Sequence, residues 1–89
     1  MKLNENFVLK TVAGSTVVMP VGEAVSKING MIKLNDSAKF IWELLETGKS
    51  TEEILTEMKN NFFDADDENL KADLNNFLNI LIEKGILEE

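Results

Sequence analysis

The sequence predicts an α+β domain in which a small antiparallel sheet of three or four short strands comes first and three helices follow. The first 34 residues contain short runs rich in Val, Phe and Thr, which favour strands. After Leu34, apolar residues recur at helical spacing. With 89 residues, the chain has enough material for one compact core. We therefore expect a single domain spanning residues 1–89, with its strands at about residues 7–34.

Two runs near the start predict a β-hairpin. Phe7 to Val12 and Thr16 to Val21 are separated by Ala13 to Ser15, which supplies turn-forming residues. Pro20 cannot donate a backbone hydrogen bond, so it belongs at a strand end or an edge. Gly22, two residues after Pro20, marks a bend. The second strand should therefore end near Pro20.

A second, shorter hairpin is predicted at the Asn29-Gly30 dipeptide, which tolerates the positive φ angles of a type I′ turn. It would join residues 25–28 to residues 31–34. Side chains alternate between the two faces of a strand. Ile32 and Leu34 should therefore face the core.

Capping signals define the first two helices. The first is predicted at about residues 36–46, with Asn35 or Asp36 as its N-cap and Gly48 just past its end. The second is predicted at about residues 51–61. It follows a capping box, in which the Ser50 hydroxyl and the Glu53 carboxylate satisfy each other's backbone N–H groups.

The third helix, at about residues 67–84, is the longest predicted element. It opens at Asp66 or Asp67, whose negative charge favours a helix N-terminus, and Gly85 takes the C′ position. At about 100° per residue its apolar side chains cover an arc of roughly 140°, wider than one packing contact needs. These side chains are Leu70, Leu74, Phe77, Leu78, Leu81 and Ile82. A small sheet followed by three such helices forms a winged helix-turn-helix pattern.

An acidic loop separates the second and third helices. We expect Phe62 and Phe63 to close the corner before it. Its carboxylates lack the central Gly and the terminal Glu of an EF-hand calcium loop, so a helix cap in a solvated turn is predicted instead of a metal site. The carboxylates belong to Asp64, Asp66, Asp67 and Glu68.

Composition narrows the function classes. Acidic residues outnumber basic ones 16 to 9, the net charge is −7, and every basic residue is Lys. Nucleic acid is therefore an unfavourable partner. His, Cys, Tyr and Arg are absent, which removes the commonest general base and thiol nucleophile. We predict no catalytic residues, no metal and no cofactor. No run is apolar enough for a membrane span or a signal peptide, so a cytoplasmic protein is expected.

The segment from Leu34 to Leu45 resembles the signature of the PqqD family, a Leu-Asn pair followed by a helix that carries Ile41-Trp42. The resemblance extends over nearly the whole chain. The further matching stretches are Pro20-Val21-Gly22, Asn29-Gly30, Thr51-Glu52-Glu53, Phe62 to Asp66, Asp73 to Leu78 and Gly85-Ile86-Leu87.

The resemblance implies a peptide-binding adaptor. The family is similar to pyrroloquinoline quinone biosynthesis protein D, also called the RiPP recognition element after the ribosomally made and modified peptides it serves. It implies that the leader segment of a precursor peptide docks as an extra antiparallel strand on the sheet edge, in a groove walled by the third helix. A radical S-adenosylmethionine enzyme or another modifying enzyme, on a separate polypeptide, then acts on the precursor.

Strand addition needs an unpaired edge and adjacent apolar pockets. The last predicted strand supplies the edge, and the surplus apolar flank of the third helix supplies the pockets. A monomer or a homodimer is compatible with such an edge. Trp42 and Phe77 are predicted to be core residues. The predicted peptide-binding residues are Met31, Ile32, Lys33, Leu34, Lys71, Leu74, Asn75, Leu78 and Ile82.

Two other function classes remain open. A winged-helix DNA-binding protein would use the third helix for recognition, and a salt-dependent shift of duplex DNA would reveal it. An acyl or peptidyl carrier would bear a prosthetic arm on Ser37, at the start of the first helix. An intact mass with a phosphopantetheine adduct would identify a carrier.

Overall fold

The computed structural model describes residues 1–22 and 32–88. A three-stranded antiparallel sheet contains β2 (Phe7–Val12), β3 (Ser15–Pro20) and β4 (Ile32–Leu34), in that spatial order. Three helices follow, α1 (Asp36–Glu46), α2 (Thr51–Asn61) and α3 (Asp67–Glu83). The predicted α+β class, an antiparallel sheet followed by three helices, is confirmed. The hairpin predicted at Asn29-Gly30 lies outside the described residues.

The β2–β3 turn is tighter than predicted. Ser15 pairs with Val12, so only Ala13 and Gly14 connect the two strands. Both turn residues have positive φ, 51° at Ala13 and 81° at Gly14, as a type I′ hairpin requires. The prediction also placed Ser15 in the turn, because Ser is a common turn residue.

A second sheet was missed from the sequence. β1 (Lys2–Leu3) pairs antiparallel with β5 (Leu87–Glu88), which joins the two ends of the chain. Asn4 extends this contact, since its backbone N–H donates to the Ile86 carbonyl at 2.7 Å and its side-chain amide donates to the Gly85 carbonyl at 3.3 Å. Two-residue strands give too little periodicity to be recognised.

The predicted helix caps are confirmed. Asn35 is the N-cap of α1 and accepts from Ala38 N–H at 2.8 Å. Ser50 and Glu53 form the capping box of α2. At the end of α3, Gly85 N–H donates to the Ile82 carbonyl and Ile86 N–H donates to the Leu81 carbonyl, the two bonds of a Schellman motif. α3 ends at Glu83, with Lys84 as its C-cap.

One apolar core joins the sheet to all three helices. The core face of the sheet presents Phe7, Val18 and Leu34, and α1 adds Trp42, which is 1% exposed as predicted for a core residue. Ile32 packs against the same cluster. The prediction that Ile32 and Leu34 face the core is confirmed. The helices and the C-terminal strand contribute Ile41, Leu45, Ile54, Met58, Leu70, Leu74, Phe77, Leu78, Leu81, Ile86 and Leu87.

The prediction for the α2–α3 corner was half wrong. Phe62 packs edge-on against Phe40, with ring centroids 5.4 Å apart, but Phe63 is 79% exposed. Phe62 is the C-cap of α2, and its N–H donates to the Met58 carbonyl. The following residue, Phe63, lies on the surface. Asp66 caps α3 by accepting from Glu68 N–H at 3.1 Å.

No helix within residues 1–22 and 32–88 has the length and apolarity needed to cross a bilayer.

Ala13→Asn should stabilise the domain. Asn tolerates the left-handed conformation, and Asn-Gly is a preferred type I′ pair, so we expect a gain of about 0.5–1 kcal/mol. The melting temperature of the variant is the measurement, and Ala13→Val, which is β-branched at the same position, should lower it. Equal melting temperatures for Asn and Val would contradict the positive φ at residue 13.

Glu53→Gln should alter how stability depends on pH. The Ser50 backbone N–H donates to the Glu53 carboxylate at 3.0 Å, and together with the Ser50 hydroxyl and the charge of Lys49 it lowers the pKa of Glu53. A carboxyl whose pKa is lower in the folded chain stabilises it above its unfolded pKa, and this stabilisation disappears as pH falls through the folded value.

Melting temperatures measured from about pH 7 down to about pH 3 should therefore fall less for Glu53→Gln than for the unsubstituted chain. Glu52→Gln is the matched control, because Glu52 shares the first turn of α2 but stands outside the capping box. Identical pH profiles for the Glu53 variant and the unsubstituted chain would show that the capping box contributes no pH-dependent stability.

Candidate functional site

The outer edge of β4, the edge that faces away from β3, is the first part of the candidate site. β4 pairs with β3 through Ile32 opposite Val18, Lys33 opposite Val17 and Leu34 opposite Thr16. Within residues 1–22 and 32–88, no strand pairs with its outer edge. Leu34 is buried, Ile32 is half-buried and Lys33 is exposed. The strand is thus anchored by its core face and by one neighbour.

Backbone groups on this edge have the geometry that a further strand needs. In an antiparallel ladder, alternate residues direct their N–H and C=O groups to opposite sides of the strand. Since β3 takes one set of these groups, the other set in Ile32 to Leu34 points toward the outer edge. β4 can therefore accept an additional antiparallel strand through main-chain hydrogen bonds.

A groove on α3 is the second part. It has a volume of about 500 Å³ and opens between α3, the start of α2 and the N-terminal residue. Its walls combine aliphatic, amide and hydroxyl side chains with the N-terminal residue Met1. The lining residues are Met1, Thr51, Asn75, Leu78, Asn79 and Ile82.

The structure brings together some of the predicted site residues and separates others. Asn75, Leu78 and Ile82 line the α3 groove together. Lys71 is exposed on α3 outside the lining, and Leu74 is 0% exposed in the core.

The β4 residues are also absent from the groove lining, so the edge and the groove are two surfaces. Met31 lies outside the described residues. Among the predicted positions that the structure describes, Leu74 is the most deeply buried, at 0% exposed against 6% for Leu34 and 7% for Leu78.

Three lining residues were missed. Asn79 follows Asn75 by about one helical turn. The helical periodicity that places Asn75 on this flank of α3 therefore also places Asn79 there. No periodicity in the sequence indicates that Thr51 and Met1 lie near this flank of α3. Met1 reaches the groove because the β1–β5 pairing brings the chain start to the end of α3, and the Thr51 hydroxyl donates to the Met1 sulfur at 3.6 Å.

A separate cavity of about 340 Å³ lies between the N-terminal residues and the end of α1. Trp42 is part of its lining, and the buried indole Nε1 has no hydrogen-bond partner within the described part of the chain. The remaining lining is mainly the backbone and side chains of residues 1–5. This cavity underlies the N-terminal segment and is distinct from the α3 groove.

Both surfaces offer hydrogen-bonding groups. The edge offers main-chain donors and acceptors, and the groove offers neutral amides beside aliphatic side chains. In the ranges 1–22 and 32–88, no group of three acidic, His or Cys side chains converges as metal ligands would.

Comparison with known proteins supports this description. A solved structure described as TbiB1 in complex with the TbiA(beta) leader peptide superimposes with a TM-score of 0.78 at 27% sequence identity. The match covers 99% of this chain and 95% of that one. A search of the curated proteins found no match. The family model described as coenzyme PQQ synthesis protein D (PqqD) matches residues 15–87. These residues include β3, β4 and all three helices, and the chain therefore belongs to the PqqD family.

Proposed function

We propose that this chain binds the leader segment of a ribosomally made precursor peptide and presents it to a separate modifying enzyme. The leader would add as an antiparallel strand to the outer edge of β4. The observation that carries the proposal is this edge, in a chain whose fold matches, over 99% of its length, that of TbiB1 bound to a leader peptide. The α3 flank would supply side-chain contacts.

The position of β4 favours this mode of binding. The core holds Leu34, and β3 holds the inner edge, so the strand is already extended before a ligand arrives. Preorganised backbone lowers the entropy lost on association. Lys33 is exposed on the strand. A charged side chain at this position disfavours pairing between two copies of the chain, a common protection of edge strands.

A binding role also agrees better with the side chains than catalysis or DNA binding does. The chain contains no His, Cys, Tyr or Arg, so the commonest general base and the thiol nucleophile are missing. α3 bears Asp67, Glu68, Asp73 and Glu83 against one lysine, Lys71. A recognition helix of this charge would repel the phosphate backbone. We therefore propose that the chemistry resides on a partner enzyme, a radical S-adenosylmethionine enzyme or another peptide-modifying enzyme.

Strand addition can be tested with peptides selected from a random library displayed as mRNA fusions against the full chain. Each selected peptide is then remade with one backbone nitrogen methylated at a time. Since only alternate residues of an added strand bond to β4, methylation at every second residue should weaken binding by about tenfold or more, and methylation between them should have little effect. Calorimetric titration measures each affinity.

The same titrations followed by NMR should shift the backbone amide signals of Ile32 to Leu34. A methylation profile without a two-residue period, or shifts confined to segments remote from β4, would refute strand addition. Failure of the library to yield any binding peptide would refute the proposed function itself.

A further inference from the structure

The three-stranded sheet carries a charge opposite to that of the chain as a whole. Acidic residues outnumber basic ones 16 to 9 in the sequence, but every ionisable side chain in β2, β3 and β4 is a lysine. These are Lys10 on β2 and Lys33 on β4, and both are exposed. The acidic residue closest to Lys33 along the chain, Asp36, belongs to α1. The three strands therefore offer positive charge with no carboxylate among them.

Strand pairing places the two lysines in one row on the outer face of the sheet, the face opposite the core. Lys10 and Lys33 are both paired with Val17, one from each side. Paired residues project from the same face of an antiparallel sheet, and Lys33 alternates with Ile32 and Leu34, which pack in the core. Within residues 1–22 and 32–88, Lys33 forms no ion pair. No carboxylate in these ranges therefore neutralises its charge.

The hydrogen bonds of the β2–β3 hairpin set the direction of the main-chain groups in β3. The Val21 N–H donates to the Asn6 carbonyl at 2.7 Å, toward the β2 side. This direction alternates from residue to residue along an antiparallel strand. Val17, four residues before Val21, therefore also faces β2, and its neighbours Thr16 and Val18 face β4.

β4 has the complementary pattern. Thr16 pairs with Leu34 and Val18 pairs with Ile32, so Leu34 and Ile32 direct their N–H and C=O groups toward β3. Lys33, between them, directs both of its main-chain groups toward the outer edge. The residue that presents its main chain to an added strand is thus the residue with the charged side chain.

An added antiparallel strand would place one of its residues directly opposite Lys33. This ligand residue, the paired residue, would exchange both main-chain hydrogen bonds with Lys33 and project its side chain from the same outer face. Two residues that are opposite each other in this way have Cα atoms about 5.5 Å apart. Opposite charges stabilise such a pair, and like charges destabilise it.

We propose that Lys33 makes the chain select a leader whose paired residue is acidic. This inference rests on the proposed function and specifies the chemistry of one ligand position. The same side chain opposes pairing between two copies through β4, because Lys33 opposite Lys33 would set like charges against each other. One lysine thus favours an acidic ligand strand over a second copy of the chain.

Local charge outweighs the net charge of the chain at this position. A net charge of −7 repels an acidic ligand, but interactions between exposed charges are largely screened beyond about 10 Å in about 0.1 M salt. Lys33 would be one strand spacing from the paired residue, about 5 Å, whereas Lys10 would be three spacings away, about 14 Å. The preference is therefore expected to depend on Lys33 and not on Lys10.

The test uses the tightest-binding peptide selected on the unsubstituted chain. Its paired residue is identified by nuclear Overhauser contacts to the Lys33 backbone, and three versions are made with Glu, Gln or Lys at that position. Calorimetric titration should give affinities in the order Glu, Gln, Lys, with Glu binding about tenfold more tightly than Lys. The preference for Glu should fall to about threefold or less in about 0.5 M salt.

Lys33→Glu should reverse this order, because the charge opposite the paired residue changes sign. Lys33→Gln should bring the three peptides within about twofold of one another, and it keeps the test decisive if Lys33→Glu lowers the stability of the sheet. Lys10→Glu is the matched control, since it makes the same charge change at an exposed position of the same row. This control should retain the original order.

An unchanged order on both Lys33 variants, or a reversal on Lys10→Glu equal to that on Lys33→Glu, would overturn the assignment of Lys33. A preference for Glu that salt does not reduce would overturn it as well. Any of these results, with the two-residue methylation profile retained, leaves strand addition on β4 intact. Loss of that profile, or absence of any selected peptide, would instead count against the proposed function itself.

Discussion

Within residues 1–22 and 32–88, β4 pairs on one side only, and this one-sided pairing is the constraint on which the proposed function depends. A three-residue strand has little stability of its own, and here it is held by β3 along its inner edge and by Leu34 in the core. These two attachments fix its backbone without using its outer edge. The same arrangement leaves main-chain groups directed away from β3, where a ligand strand can meet them.

The helices make this arrangement possible. Their apolar faces build the core into which Leu34 projects, and α3 alone contributes Leu70, Leu74, Phe77, Leu78 and Leu81. The apolar arc of α3 is wider than the core requires. Its margin, half-buried at Ile82, becomes a wall of the groove. The core and the candidate groove thus share one helix, and the boundary between them runs along its length.

Much of this fold could be predicted from the sequence, because the determining signals are local. The helix caps at Asn35 and Ser50 and the C′ glycine at position 85 depend on residues within one turn of each helix end. The inward orientation of Ile32 and Leu34 follows from strand alternation alone. Contacts between distant segments had no such signal, and the β1–β5 sheet was missed for that reason.

The candidate site was predictable to a smaller extent. Asn75, Leu78 and Ile82 share a groove because helical periodicity places them on one flank of α3. Leu74 was predicted as a peptide contact, and the structure places it in the core at 0% exposed. Helical periodicity gives the direction of a side chain but not the depth of packing over it. Met1 entered the groove through a tertiary contact between the chain ends, and Phe63 turned outward where an apolar residue was expected to pack.

Hydrogen exchange of the β4 backbone amides tests the central claim most directly. In the unliganded chain, the amides of Ile32 to Leu34 that point toward β3 should exchange slowly, and those on the outer edge should exchange at rates close to those of solvated backbone. Adding a selected peptide should slow the outer set. Slow exchange of all three amides before any peptide is added would contradict the account, because the outer edge would then already be paired.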